Sequence, residues 1–248
     1  MPVTTLLLLF AAGLWAGAQN ALAGGGSFVT LPALILSGMD AKAANITSAV
    51  ALFPAQFASG MTGAKEVRGA GGLGFKALAL ISLAGGACGA LLLLATSAAS
   101  FARLVPWLVL FATALFTWSA FGPKRAEPKL LGKWTTGVLI FFVAGYAGYF
   151  GGGTGFMTMT VLAFAGQAAR TSAVTKNMLA AAMNASAVLI FIFSPEVRWL
   201  QAGALALGAV IGGVSGAMLL KRIPDRPLKV VVVLIGVALT VGLFWRAR

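Results

Sequence analysis

One lysine and a few short polar side chains are the groups in this sequence best placed to hold a ligand. Lys176 sits in the run Val174-Thr175-Lys176-Asn177, inside an otherwise apolar stretch. Thr47 and Ser48 stand in a comparable run, Asn45-Ile46-Thr47-Ser48, in the first half of the chain. An ammonium group surrounded by apolar residues is costly and is usually kept where it faces a cavity. Hydroxyl and carboxamide groups beside it can donate hydrogen bonds to an anion. Two plainer roles stay open. Lys176 lies about one turn from an expected helix start and can snorkel to the interface, and Ser, Thr and Asn often tie membrane helices together. Gln56 and Asn184 are further polar residues within apolar spans, with a weaker claim to the ligand.

Several chemistries lack their residues. The chain has no histidine and one cysteine, Cys88. Imidazole metal sites, Ser-His-Asp catalysis, histidine proton relays and CxxC metal sites are therefore excluded. No cofactor or metal is expected, and Cys88 is the only hook for an enzyme. The five acidic residues, Asp40, Glu66, Glu127, Glu196 and Asp225, all fall in expected loops or at span ends. A carboxylate proton relay has no carrier inside the spans, and a cation cavity has no lining. Both absences favour an anionic ligand.

Two glycine clusters must position these groups: Gly24-Gly25-Gly26-Ser27-Phe28 and Gly151-Gly152-Gly153-Thr154-Gly155-Phe156. Each lies within an apolar stretch of about 35 residues, whereas one crossing takes about 20. Each stretch must therefore break, and glycine is where a helix breaks at least cost. A break leaves unpaired backbone groups, which survive in a membrane only where they line protein or a wet cavity. The positive ends of the half-helices that follow can hold an anion near the midplane. On this basis Gly25, Gly26, Ser27, Gly152, Gly153 and Thr154 join Thr47, Ser48, Thr175, Lys176 and Asn177 as expected substrate-binding residues. The alternative is that the glycines only permit close helix crossing. A phosphate loop is rejected, because neither cluster continues into Gly-Lys-Ser/Thr.

Composition sets the environment. The chain has 248 residues, is 60% hydrophobic and only 9% charged, with mean hydropathy +0.97. A soluble domain carries about 25% charged residues, so this chain belongs in lipid. Its formal charge of +13 lies in short loops, as expected for cytoplasmic loops of a membrane protein rather than for a nucleic-acid partner. Ala21-Leu22-Ala23 resembles a signal-peptidase site. No Lys or Arg precedes that apolar run, however, and the glycine cluster follows at once, so the segment is expected to be retained.

The order of segments repeats. The first arm at 3–23, the break and a short arm at 28–38 are followed by spans near 43–62, 77–96 and 104–121, with Arg103 marking a turn. After the loop 122–133 come an arm at 134–150, a break, a short arm at 156–166, and spans near 172–193, 201–220 and 230–245. Thr47 lies 23 residues after Gly24, and Thr175 lies 24 after Gly151; the extra Gly155 accounts for the difference. Gly85 and Gly89 correspond to Gly208, Gly212 and Gly216, and such small-xxx-small steps allow close helix packing. If each broken segment crosses the membrane, loop Lys and Arg divide about 10 to 7 between the faces. If each is a re-entrant V, residues 65–76, 124–133, 170 and 221–229 share one face and the split is about 12 to 5. The second arrangement makes the halves an inverted repeat with both termini on the periplasmic side.

The stretch Gly24-Gly25-Gly26-Ser27-Phe28-Val29-Thr30-Leu31-Pro32-Ala33-Leu34, the following Ala44-Asn45-Ile46-Thr47-Ser48 and their second-half echo resemble the TauE/SafE family of sulfite exporters. The resemblance covers nearly the whole chain. It implies a bacterial inner-membrane protein that moves sulfur-containing anions such as sulfite, sulfonates or related organosulfur compounds. The family's second copy usually continues Gly-Thr-Ser, where this chain reads Val174-Thr175-Lys176; the departure makes Lys176 the residue that would tune the substrate. The expectation is an all-α integral membrane protein of two inverted repeats, each of about four helical segments with a Gly-broken or re-entrant first segment. Residues 1–121 form the first repeat, 122–133 a basic cytoplasmic linker and 134–248 the second repeat. The expected activity is secondary transport by alternating access, with an anion channel or a membrane component of a sulfur-processing pathway as alternatives. Expected partners are the anion and the bilayer, with self-association left open and no nucleic acid.

Overall fold

The computed structural model describes residues 2–22, 25–61, 64–122, 130–219 and 225–246. Gly24, and residues 123–129 of the expected linker, lie outside them. The described chain is all-helical: α1 (Val3–Leu22), α2 (Ser27–Leu36), α3 (Ala41–Met61), α4 (Phe75–Ala95), α5 (Ala98–Phe121), α6 (Lys133–Tyr149), α7 (Thr154–Phe164), α8 (Ala169–Phe191), α9 (Trp199–Leu219) and α10 (Asp225–Arg246). Windows in α1, α4, α5 and α8 are long and apolar enough to cross a membrane. Large apolar side chains such as Leu80, Trp107, Phe142 and Leu207 face outward, as a lipid-facing surface requires.

Both apolar stretches break where the glycines fall. The short helices α2 and α7 hold 10 and 11 residues, about half a crossing, and start slightly before Phe28 and Phe156. One expected boundary is corrected. Arg103 lies inside α5, which begins at Ala98 because Ser97 caps it by accepting the amide of Ser100 at 3.1 Å. The cap, rather than the charge, sets the turn.

Hydrogen bonds between loops fix which helix ends lie together. The amide of Gly71, in the α3–α4 loop, donates to Ala165 at the end of α7 (3.1 Å), and Leu131, just before α6, donates to Phe164 (2.9 Å). The α6–α7 segment thus leaves and returns to one end of the bundle. At the other end, the amide of Arg198, just before α9, donates to Thr47 in the second turn of α3 (3.2 Å). Helices α1 and α9 run parallel, with Gly13 beside Leu205 and Gly17 beside Ala209. α1 therefore starts at the end where α2 finishes and α3 begins. Each broken segment is a V.

The packing partners correspond between halves. α1 packs on α9 and α6 on α4; α3 packs on α9 and α8 on α4; α2 packs on α10 and α7 on α5. α3–α8 and α5–α10 pair across the halves. The two parallel pairs are built alike. A Cβ added at Gly17 or Gly212 would meet the backbone of the partner helix, and so would one at Gly89 or Gly148 in the α4–α6 pair. Without a hydrophobic drive between helices in lipid, such close approach supplies the van der Waals contact that holds them. Gly89→Ala, whose Cβ would fall on the Gly145 carbonyl, is expected to lower the thermal unfolding midpoint of the detergent-purified protein markedly. Gly203→Ala, which meets nothing within 4 Å, is expected to leave it unchanged or slightly raised.

Candidate functional site

The two breaks turn on glycines with left-handed backbones, Gly25 at φ +83°, Gly151 at +80° and Gly153 at +77°, a conformation that L side chains rarely adopt. Polar side chains then meet the freed backbone groups. The Gln19 carboxamide donates to the Gly25 carbonyl (3.1 Å) and accepts from the Trp15 indole (3.1 Å). Asn20 accepts the Gly26 amide at 3.5 Å. In the second break the Thr154 hydroxyl donates to the Gly151 carbonyl (3.1 Å), and Asn45, reaching over from α3, donates to the Tyr149 carbonyl (3.0 Å).

Between the breaks, where α3 packs on α8, lies a small polar cleft with a cavity volume of about 30 Å³. The first break lends it Asn20, Gly25 and Ser27, and the second Gly151, Thr154 and Gly155. α3 adds Gln56 and Ser59, and α8 adds Lys176, Asn177, Ala180 and Asn184. The first amides of α7, on Thr154 and Gly155, have no carbonyl of their own helix to bond, and both residues line the cleft. Asn184 Nδ2 donates to Gln56 Oε1 at 2.7 Å, which ties α3 to α8 at the base of the cleft.

Lys176 is 3% exposed. Among the described residues its ammonium makes no hydrogen bond or ion pair, and none of the residues lining the cleft is acidic. A positive charge so placed, with carboxamide and hydroxyl side chains lining the same cleft, can attract a small anion. The same walls lack the carboxylates that a cation would need.

Of the residues expected to bind substrate, the cleft takes Gly25, Ser27, Thr154, Lys176 and Asn177. Gly26, Gly152 and Gly153 shape the breaks without lining it: Gly26 caps α2, and Gly153 lies against Ala112 of α5. Three others have different partners. Ser48 shares a hydrogen bond with Thr30 at 2.5 Å. Thr47 accepts from the Arg198 amide, and at the opposite end of the bundle Thr175 accepts from Arg68 (3.3 Å) and from Gln167 Nε2 (3.4 Å).

Nothing in the sequence singles out Asn20 or Ser59. Gln56 and Asn184 carry a signal that spacing could have given: they follow Gly24 and Gly151 by 32 and 33 residues, the same one-residue offset as the threonine pair. Ser59 lies three residues from Gln56 and so shares its helix face.

The sequence model of the family described as sulfite exporter TauE/SafE matches residues 9–243. A probable membrane transporter protein of Haemophilus influenzae is 25% identical, the alignment covering 96% of this chain and 94% of the relative. A second probable membrane transporter protein, ORF9 of a Sinorhizobium species, is 27% identical over 96% of this chain and 92% of its own length.

A lysine held inside a membrane helix costs about 3 kcal/mol on insertion scales, and this one recovers nothing from a partner in the described protein. Lys176→Met is therefore expected to raise the unfolding midpoint of the anion-free protein. A lowered midpoint would mean that the ammonium has partners within the fold.

Proposed function

The chain is a membrane transporter of the sulfite exporter TauE/SafE family, and we propose that it carries a small sulfur-containing anion, such as sulfite or a short sulfonate, by alternating access. One observation carries the proposal: the buried, unpaired ammonium of Lys176 facing a carboxylate-free polar cleft between two helix breaks. An anion entering there gains a charge-assisted hydrogen bond in a setting of low dielectric, together with donors from Asn177 and the start of α7.

Residues 1–121 and 134–248 act in this proposal as inverted repeats joined by the basic linker 122–133. Support comes from the exchange of packing partners between halves and from the two V-shaped segments that start at opposite ends. Among the described residues Lys65, Arg68, Lys76, Lys133 and Arg170 gather at one end, against Lys42, Arg103 and Arg198 at the other. The positive-inside tendency assigns the first end to the cytoplasm of a bacterial inner membrane and the termini to the periplasm. The substrate sits where the halves meet, so rocking one against the other would present it to each side in turn. A channel would need the cleft to continue to both faces. The packing favours a carrier, because α3 and α8 pack together and both contribute to the apolar core, with Ala51, Leu52, Ala187 and Phe191 buried in it.

The test is thermal stabilisation of the detergent-purified protein by a panel of sulfite, sulfate, thiosulfate, short sulfonates and the matching carboxylates. A ligand at 100 times its Kd stabilises the folded state by about 2.7 kcal/mol. Sulfite or a sulfonate is expected to raise the midpoint by several degrees, and Lys176→Met to abolish the rise. Stabilisation by carboxylates alone, or an undiminished rise in the variant, would refute the assignment.

A further inference from the structure

The tripeptide Glu-Val-Arg occurs twice, as Glu66-Val67-Arg68 in the loop before α4 and as Glu196-Val197-Arg198 in the loop before α9. The two copies make the same contacts with the opposite half. Glu196 lies 3.8 Å from Lys42 Nζ near the start of α3, and the Arg198 amide donates to Thr47 five residues further on. Glu66 lies 3.5 Å from Arg170 Nε near the start of α8, and the Arg68 amide donates to Thr175, again five residues on. Each clasp thus pins one half's loop to the first turns of the other half's central helix, and the two clasps lie at opposite ends of the bundle.

They differ in burial, and so in how far water screens them. The Lys42 and Glu196 side chains are 8% and 31% exposed, and Lys42 Nζ also donates to the Leu94 carbonyl at 3.2 Å. Arg170 and Glu66 are 87% and 56% exposed, so water screens that pair and weakens it. The cleft is asymmetric in the same sense. Of its four α8 residues, Lys176 and Asn177 lie in the half of α8 that leads to the Arg170 end, Ala180 is at the middle and Asn184 one turn beyond it, while its α3 residues, Gln56 and Ser59, lie in the last turns of α3. On the other side of the crossing α3 and α8 are closed by apolar packing.

We propose that the two Glu-Val-Arg loops are reciprocal gates: the Lys42–Glu196–Thr47 clasp seals one end of the cleft while the Arg170–Glu66–Thr175 clasp is slack, and the cycle exchanges which one is tight. The inference rests on the transporter reading and deepens it by naming the residues that decide which face the cleft opens to. Lys42, Glu196 and Glu66 are positioning residues, since none of them lines the cleft. A contact present in one state and absent in the other shifts the balance between them by its own free energy, so removing the tight clasp should populate the oppositely open state.

The experiment uses the full chain with Cys88→Ala and a single reporter, Ala180→Cys, in the cleft wall. Labelling by a membrane-impermeant maleimide is compared in vesicles of both orientations. The parent is expected to label from the face that carries Arg170. Glu196→Gln combined with Thr47→Val is expected to speed labelling from the opposite face about fivefold or more, the shift that follows when an ion pair and a hydrogen bond specific to one state are lost. Glu66→Gln combined with Thr175→Val is expected to leave the opposite face unlabelled. The swap Lys42→Glu with Glu196→Lys should restore the parent ratio, which neither change does alone. Thr47→Val by itself should shift labelling in the same direction by less, and stands in if the double variant does not fold.

Equal labelling ratios in the parent and the Glu196 variants, or a swap that restores nothing, would overturn the gates. Anion-induced stabilisation is measured on the same variants. If labelling swings but no sulfur anion binds, the substrate assignment fails and the gates stand. If the anion binds and labelling does not swing, the reverse holds.

Discussion

A helix that stops inside a bilayer exposes amides and carbonyls that lipid cannot solvate, each costing several kcal/mol if left bare. Much of this protein answers that constraint. Gln19 and Asn20 serve the first break, and Thr154 and Asn45 the second. Asn45 matters most here, because it reaches from α3 in one half to the end of α6 in the other. Thr154 and Gly155, at the start of α7, line the cleft. The breaks dictate where the cavity must be, and the cavity dictates that α3 and α8 cross beside it.

Between the matching stretches of the two halves of the sequence one position differs sharply. The cleft-lining pair Gln56 and Asn184, and the paired Ser27 and Thr154, hold matching places in the two halves. The residue after Thr47 is Ser48, spent on Thr30, whereas the residue after Thr175 is Lys176, free to face the cleft. The positive charge of the cleft therefore belongs to one half alone. Under the proposed rocking of the halves, an anion held by Lys176 would stay with α8 while the walls from the other half move past it.

The breaks and the polar character of the site were legible because an apolar run too long for one crossing has to turn somewhere, and a glycine cluster marks the place. Lys176 was legible for a similar reason: a lone charge in such a run needs a cavity or an interface. The threonines were not. Thr47 and Thr175 stand next to the candidate residues in sequence, but at about 3.6 residues per turn the helix carries them to another face, where they receive loop amides. Without knowing which face of α3 meets α8, a hydroxyl that binds substrate and one that anchors a loop look the same. The repeated Glu-Val-Arg was visible as letters, but its partners Lys42 and Arg170 lie more than 100 residues away from it in the chain, and nothing local joins them. Arg103 shows a smaller failure of the same kind, since a charge near a span end is weaker evidence for a turn than the capping serine a few residues earlier.

The parallel pairing of α1 with α9 also has a bearing on how the protein is made. Gly13 docks against Leu205, so at about 5–20 residues per second the ribosome needs on the order of ten seconds or more to deliver the partner of the first helix. α4 and α6 are separated by far less chain and can dock while synthesis continues. Until α9 arrives, the glycine face of α1 has only lipid or the insertion machinery to lie against. Helix α1 thus finds its place long after it is made, and a chain stopped short of α9 would leave that face open to recognition by membrane proteases.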